Sequence, residues 1–465
     1  MQSAIIVGYL IIMVVLGLYF AKSRVRDSAD FMVAGRSLSY GVLIGTLVAT
    51  FIGSGSIIGG ASFVYQHGPL AAIFFFAGTP IGILILYFFL AHRIRAAAIY
   101  TIPEIIEKRY GRFARGMAAL IILLAYVGIV SYQFIGGGYA LNVTLGLPVW
   151  EGALISAVVM IFLAMIGGLV SVAYTDFISS IIIFLSLLIA LPIALMNVGG
   201  LSDMFAALPA AKQSWTGGLT TVQLLGYFLP LFLLLLGDQN IYQRFSAARD
   251  ATTARRSAAG FFIGAILINA LIILLVATTI VAFPDIKPDT AVLVLGARGV
   301  PDLLGGFILA ATVGLIITTG NSYLLSSAGN LVHDLYVNVF GRRIAESRRL
   351  LVDRGTVVAL GVFAYCLGTF FPSVLAIQMY SYTMYGAAIT PALIAALVWR
   401  GATVPGGVAS ILVGGAATLI WEIALGKPLE LNSVLISLPL SVLTLIVVSL
   451  LTQQRCTPLI GEQTE

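Results

Sequence analysis

Thirteen long apolar runs follow one another along this chain, and each is long enough to cross a bilayer as a helix. They lie near 3–21, 40–66, 71–92, 116–146, 149–168, 171–197, 220–243, 257–283, 303–333, 351–371, 373–398, 402–425 and 432–452. A helix bonds its own backbone polar groups where no water can reach them, so runs of this length predict an all-α, polytopic membrane protein. Composition agrees: 60% of residues are hydrophobic, 9% are charged and the mean hydropathy is +1.06. Soluble domains carry roughly a quarter charged residues.

The basic residues fix an expected orientation. Lys22, Arg24, Arg26 and Arg36 follow the first run, and Arg93, Arg95, Lys108, Arg109, Arg112 and Arg115 follow the third. Arg244, Arg249, Arg255 and Arg256 follow the seventh, and Arg342, Arg343, Arg348, Arg349 and Arg354 the ninth. Arg400 and Arg455 come after the eleventh and thirteenth, and only Lys212, Lys287, Arg298 and Lys427 fall in the alternate gaps. The positive-inside rule then puts the N-terminus outside and the C-terminus in the cytoplasm. The net charge of +6 follows from membrane orientation and gives no reason to expect nucleic acid.

The gaps leave no room for a soluble catalytic or sensor domain. The first run lacks a basic leading region and a small-residue cleavage site, so it is expected to stay as a helix in the mature chain. Cys366 lies inside the tenth run and Cys456 near the C-terminus, too far apart to pair. His67, His92 and His333 are scattered and form no metal-ligand spacing. No enzyme activity is expected.

Three runs break the membrane pattern. The second reads GVLIGTLVATFIGSGSIIGGASFVYQHG, with Gly53, Ser54, Gly55, Ser56, Gly59 and Gly60 at bilayer depth. Small residues there serve either close helix packing or an unwound segment whose carbonyls face a cavity. The seventh, LLGYFLPLFLLLLGDQNIYQRF, carries Pro230 and then Gly237, Asp238, Gln239 and Asn240. Paired interruptions in two halves point to a transporter binding site, and five runs per half would make the halves inverted repeats. The ninth contains TTGNS, with Thr318, Thr319, Asn321 and Ser322 clustered. Hydroxyls in membrane helices often bond back to their own helix, but free ones are hard oxygen donors suited to Na⁺. A neutral cage can release a monovalent ion each cycle, and the membrane potential adds roughly 2.3 kcal/mol per charge per 100 mV. Asp176 and Asp238 read equally as helix caps or as intramembrane functional carboxylates.

Six stretches, FMVAGRSLSYG, ATFIGSGSIIGGASFVYQHG, TIPEIIEKRYG, GGLVSVAYTD, GDQNIYQRFSAARD and TTGNSYLLSSAGNLVHDLY, occur in an order that resembles the sodium:solute symporter family. The resemblance covers nearly the whole chain. It implies a leucine-transporter-like fold: an extra N-terminal helix at 3–21, inverted five-helix repeats at 40–197 and 220–398, and two C-terminal helices at 402–452. It implies a Na⁺ site at Ala49, Ile52, Leu315, Thr318 and Thr319. A second Na⁺ would sit at Asp176, Thr318, Asn321 and Ser322, although the family frequently has aspartate at the position of Asn321. Family geometry places the solute among Phe51, Ser54, Gly55, Gln133, Asp238 and Gln239, with Tyr382 as a lid.

Some segments are similar to the high-affinity choline transporter branch, yet Asp238 stands where that branch has a tryptophan. Choline-like, amino-acid and small organic-acid solutes all fit. The expected function is Na⁺-coupled import of a small polar solute by alternating access in the cell membrane, with Na⁺ as the coupling ion and no other cofactor. A proton-coupled carrier, or a receptor working with a separate signalling partner, are the alternatives.

Overall fold

The structure, a computed structural model, describes residues 1–24, 34–90, 101–371 and 373–452. Arg26, Arg93, Arg95, Arg455, His92 and Cys456 lie outside the described residues. Among the described residues the regular elements are all helical, and an isolated bridge joins Leu38 to Ala248.

We label the helices α1 (Gln2–Arg24), α2 (Tyr40–Phe51), α3 (Gly55–His67), α4 (Pro69–Leu90), α5 (Ile102–Leu145), α6 (Val149–Met196) and α7 (Thr221–Gly237). The rest are α8 (Gln239–Ser246), α9 (Ala251–Ala282), α10 (Asp302–Val339), α11 (Glu346–Gly368), α12 (Val374–Val398), α13 (Val404–Ala424) and α14 (Val434–Thr452). Among the described residues eleven helical spans, one of them α7 with α8, are long and apolar enough to cross a membrane, and the bent pair α2–α3 makes a twelfth. The count of thirteen from sequence is therefore not reached by length alone. The fifth run is only a short apolar segment, Val149–Met165, continuing as helix into the Ser171–Met196 span.

Helix α5 shows how local sequence sets a boundary. Thr101 accepts a hydrogen bond from the Glu104 N–H, and proline sits in the first helical turn, where its missing N–H costs nothing. At Gly111, φ is +86°, a backbone region that favours glycine, so the element divides there into a short piece and a long span. The short piece anchors Arg109, which donates to the carbonyls of Trp399, Arg400 and Ala402 at the end of α12. The long piece brings Arg115 to Asp334 of α10, with Nη2 at 2.6 Å and Nε at 2.9 Å from Oδ1. Both arginines are buried, as is Arg244. The charge count places all three in cytoplasmic gaps; each instead folds inward onto carbonyl or carboxylate partners that offset the cost of burying charge.

Helices α5, α6 and α10 pack together at the centre against α2 and α12, with α1 laid along α6 and α10. Exposed Val7, Ile11, Val158, Phe162, Leu443 and Leu450 give the outer helices an apolar surface suited to lipid.

Candidate functional site

The glycine-rich second run does break. Helix α2 ends at Phe51, Ile52 leaves helical geometry with ψ of +20°, and the chain bends by 51° before α3 resumes. Pro230, by contrast, lies inside α7 without ending it. The break there falls at Asp238, which closes α7 and caps α8 by accepting from the Asn240 N–H. Both interruptions lie deep in the protein, because Ile52, Gly53 and Asp238 are all buried.

One pair of the expected Na⁺ ligands meets across two helices. The Thr319 hydroxyl lies 3.3 Å from the Ala49 carbonyl, which joins α10 to the last turn of α2. The neighbouring Thr318 hydroxyl bonds back to the Leu315 carbonyl of its own helix at 3.3 Å. Ala49, Ile52, Leu315, Thr318 and Thr319 are all buried. Bonds of 3.3 Å lie at the long end for O–H···O pairs, so these oxygens are only weakly committed to one another. Five buried residues offering hydroxyls and carbonyls, with no carboxylate among them, would suit a weakly held alkali cation.

Beyond the break lies a second set of polar atoms. Gln133 Oε1 accepts the Ser54 N–H at 2.9 Å, leaving Gln133 Nε2, together with the Ser54 hydroxyl, buried and unpartnered. Gln378 Oε1 is likewise buried and unpartnered. The Tyr132 and Tyr382 hydroxyls meet at 3.1 Å. Gly55 lies beneath them: a Cβ there would be 2.7 Å from Tyr382 Oη and 3.1 Å from Gln378 Nε2. Ser54, Gly55, Gln133 and Tyr382 are thus brought together, and Tyr132 and Gln378 join them without having been singled out in the sequence. Unpaired buried polar groups each cost free energy, so a cluster of them is where a polar ligand has most to gain.

The other expected solute contacts lie elsewhere. Phe51 turns its ring to Phe261 of α9, 6.3 Å between centroids. Gln239 Oε1 accepts the Ile102 N–H at 3.1 Å, and its Nε2 donates to Asn330 at 3.0 Å. It braces α8 against α5 and α10. Asp238 accepts from Tyr126 at 2.6 Å and from Tyr323 at 2.5 Å, while the Tyr385 hydroxyl donates to the Gly237 carbonyl at 2.6 Å. Three tyrosines from α5, α10 and α12 therefore hold the second break.

Around Asp176 the expected and observed partners differ. Its Oδ2 accepts from the Thr46 hydroxyl at 2.7 Å and pairs with Arg244 Nη2 at 3.2 Å. Asn321, with its amide turned to satisfy its neighbours, donates to the carbonyls of Met160 at 2.8 Å and Ile317 at 3.3 Å. Ser322 accepts from Arg244 Nη2 at 3.0 Å. No local signal marks Arg244 for this role, because the sequence reports its charge and not its depth.

On the opposite face, Asp289 lies in the segment between α9 and α10 and is buried. Burial raises its carboxyl above the ordinary range, opposed by the Ser62 hydroxyl, Lys287, the Tyr139 hydroxyl and the Val374 N–H. Lys212 donates to the Tyr65 carbonyl at 2.7 Å, and burial lowers its pKa.

Two broken spans deep in a bundle of apolar helices, with a buried polar cluster beside the first break, fit a multi-pass membrane carrier. The chain belongs to the sodium:solute symporter family, whose family model matches residues 31–414. Its members are transporters, not enzymes. The high-affinity proline transporter PutP of Bacillus subtilis is 27% identical over 454 residues, covering 94% of this chain and 95% of that protein. The sodium/proline symporter of Staphylococcus aureus strain JH9 is 26% identical, covering 90% and 85%. Among solved structures, a Na⁺-coupled sialic acid symporter in a substrate-bound outward-open state superposes with a TM-score of 0.82 at 18% identity, covering 98% of this chain and 99% of that one. MHP1, a nucleobase-cation-symport-1 family transporter in a closed conformation, gives 0.60 at 13% identity, covering 94% and 99%.

Proposed function

We propose that this protein imports a small amino-acid-like solute together with Na⁺, by alternating access across the cell membrane, with its N-terminus outside and its C-terminus in the cytoplasm. The repeats would be residues 40–197 and 220–398, related by inversion. The observation that carries the proposal is the approach of the Thr319 hydroxyl to the Ala49 carbonyl, which joins the broken span to α10 through oxygens alone. The five residues of that site hold no titratable group, which favours Na⁺ over a proton as the coupling ion.

The solute class follows from the neighbouring polar atoms. Gln133 Nε2 offers a donor, Gln378 Oε1 an acceptor and Ser54 either, all buried. An α-amino or imino acid presents a carboxylate and an ammonium, so it can answer both kinds of group within one pocket. Two of the relatives described above are named for proline, which makes proline the first solute to test.

Purified protein in proteoliposomes, given an inward Na⁺ gradient, should accumulate labelled proline. Replacing Na⁺ with K⁺ at fixed pH should abolish accumulation. Uptake that persists in K⁺ and follows a pH gradient would make this a proton carrier. Stabilisation by a different metabolite, and not by proline, would reassign the solute.

A further inference from the structure

Arg244 reaches the atoms that a second coupling ion would need. Its side chain is fully buried, and its Nη2 touches both Asp176 Oδ2 at 3.2 Å and the Ser322 hydroxyl at 3.0 Å. Its Nε donates to Thr46 at 2.9 Å and its Nη1 to the Asn240 carbonyl at 3.2 Å. The guanidinium therefore ties α2, α6, α8 and α10 together. Four polar contacts fix its direction, so it is not a side chain that happens to pass nearby.

We infer that Arg244 acts as the resident cation of the Asp176 site, so that one Na⁺ binds per cycle, at Ala49–Thr319, and none binds at Asp176. This rests on the Na⁺-coupled reading above. Charge decides it. Asp176 supplies one negative charge, and the guanidinium, which stays protonated in proteins, already neutralises it. Adding Na⁺ within about 5 Å of that guanidinium would weaken ion binding on the order of 100-fold at the effective dielectric of protein interiors.

The remaining ligands do not compensate. Asp176 Oδ1 is buried and makes no hydrogen bond, which leaves one carboxylate oxygen for an ion. Asn321 spends its amide protons on Met160 and Ile317. Ser322 donates its own proton to the Thr318 carbonyl at 3.1 Å while accepting from Arg244. Arg244 is thus a positioning residue that sets ion stoichiometry through Asp176, without touching the solute.

Saturation binding of ²²Na⁺ alone to the purified full chain counts the ions directly. Wild type and Arg244→Lys should each bind one Na⁺ per chain. Arg244→Gln, which removes the charge and keeps hydrogen-bonding groups, should bind two. Two ions on the wild type would overturn the inference and leave symport intact, as would a folded Arg244→Gln that binds one. If Arg244→Gln does not fold, the wild-type count decides. No saturable Na⁺ binding at all would instead refute the Na⁺-coupled reading itself.

Discussion

The hydroxyl of Thr319 and the carbonyl of Ala49 stand 3.3 Å apart although 270 positions separate them in the chain. Helix α2 stops at Phe51 and bends away, which sets its last turn against α10, where the Ala49 carbonyl also accepts the Ile52 N–H at 3.1 Å. In the proposed ion site the last turn of α2 would supply backbone carbonyls and α10 the Thr318 and Thr319 hydroxyls.

Thr319→Ala removes one hard oxygen of five while leaving a small residue at a buried position. Apparent Na⁺ affinity in solute uptake should fall about tenfold, equivalent to about 1.4 kcal/mol. Thr319→Ser keeps the hydroxyl and should stay near wild type. Equal Na⁺ affinity in wild type and Thr319→Ala would remove this threonine from the site.

Asp238 tests a different part of the structure. Its Oδ2 is held by Tyr323 and its Oδ1 by Tyr126 and the Asn240 N–H. Tyr323→Phe should destabilise the protein by about 1–3 kcal/mol, because it strips a buried oxygen of its donor. The double Tyr126→Phe/Tyr323→Phe change acts on one shared carboxyl and should depart from additivity by at least about 0.5 kcal/mol. Melting curves in detergent read both. Strict additivity would mean that the two hydroxyls act independently.

Gly55→Ala puts a methyl group 2.7 Å from Tyr382 Oη, inside the polar pocket and away from Thr319. Solute affinity should drop at least tenfold, while ²²Na⁺ binding measured without solute changes little. A parallel loss of both would merge the two sites.

The segment between α9 and α10 carries a pH signature. Burial raises the Asp289 carboxyl, so the folded state holds that proton more tightly than the unfolded state does. Its charge therefore costs stability at neutral pH. That cost is relieved as pH falls through the raised value, and it is gone below the unfolded value near 3.8. Asp289→Asn has no such dependence. Paired melts at pH 7 and pH 5 should show wild type gaining on the variant at the lower pH; a constant gap would contradict the assignment.

Some of this was legible from residue types. Clustered Gly and Ser between apolar stretches flagged the second run, but read as close packing or as a break; the structure puts a 51° bend just after Phe51. Thr318 and Thr319 stood out because adjacent hydroxyls are unusual in so apolar a run. Arg244 did not, because charge counting places arginines in gaps and cannot register that Thr46, Asp176 and Ser322 wait for this one inside. Family geometry places Gln239 among the solute contacts, yet Ile102 and Asn330 take up its side chain. The tyrosines around Asp238 come from three separate helices, and no periodicity within any of them announces a shared carboxyl.

Thallium is a monovalent ion of strong anomalous scattering, and crystals grown in Tl⁺ in place of Na⁺ would locate the cation without reference to transport. An anomalous peak in bonding contact with the Ala49 and Ile52 carbonyls and the Thr318 and Thr319 hydroxyls is the expected result. A peak seated at Asp176 alone, or no ordered peak between α2 and α10, would contradict it.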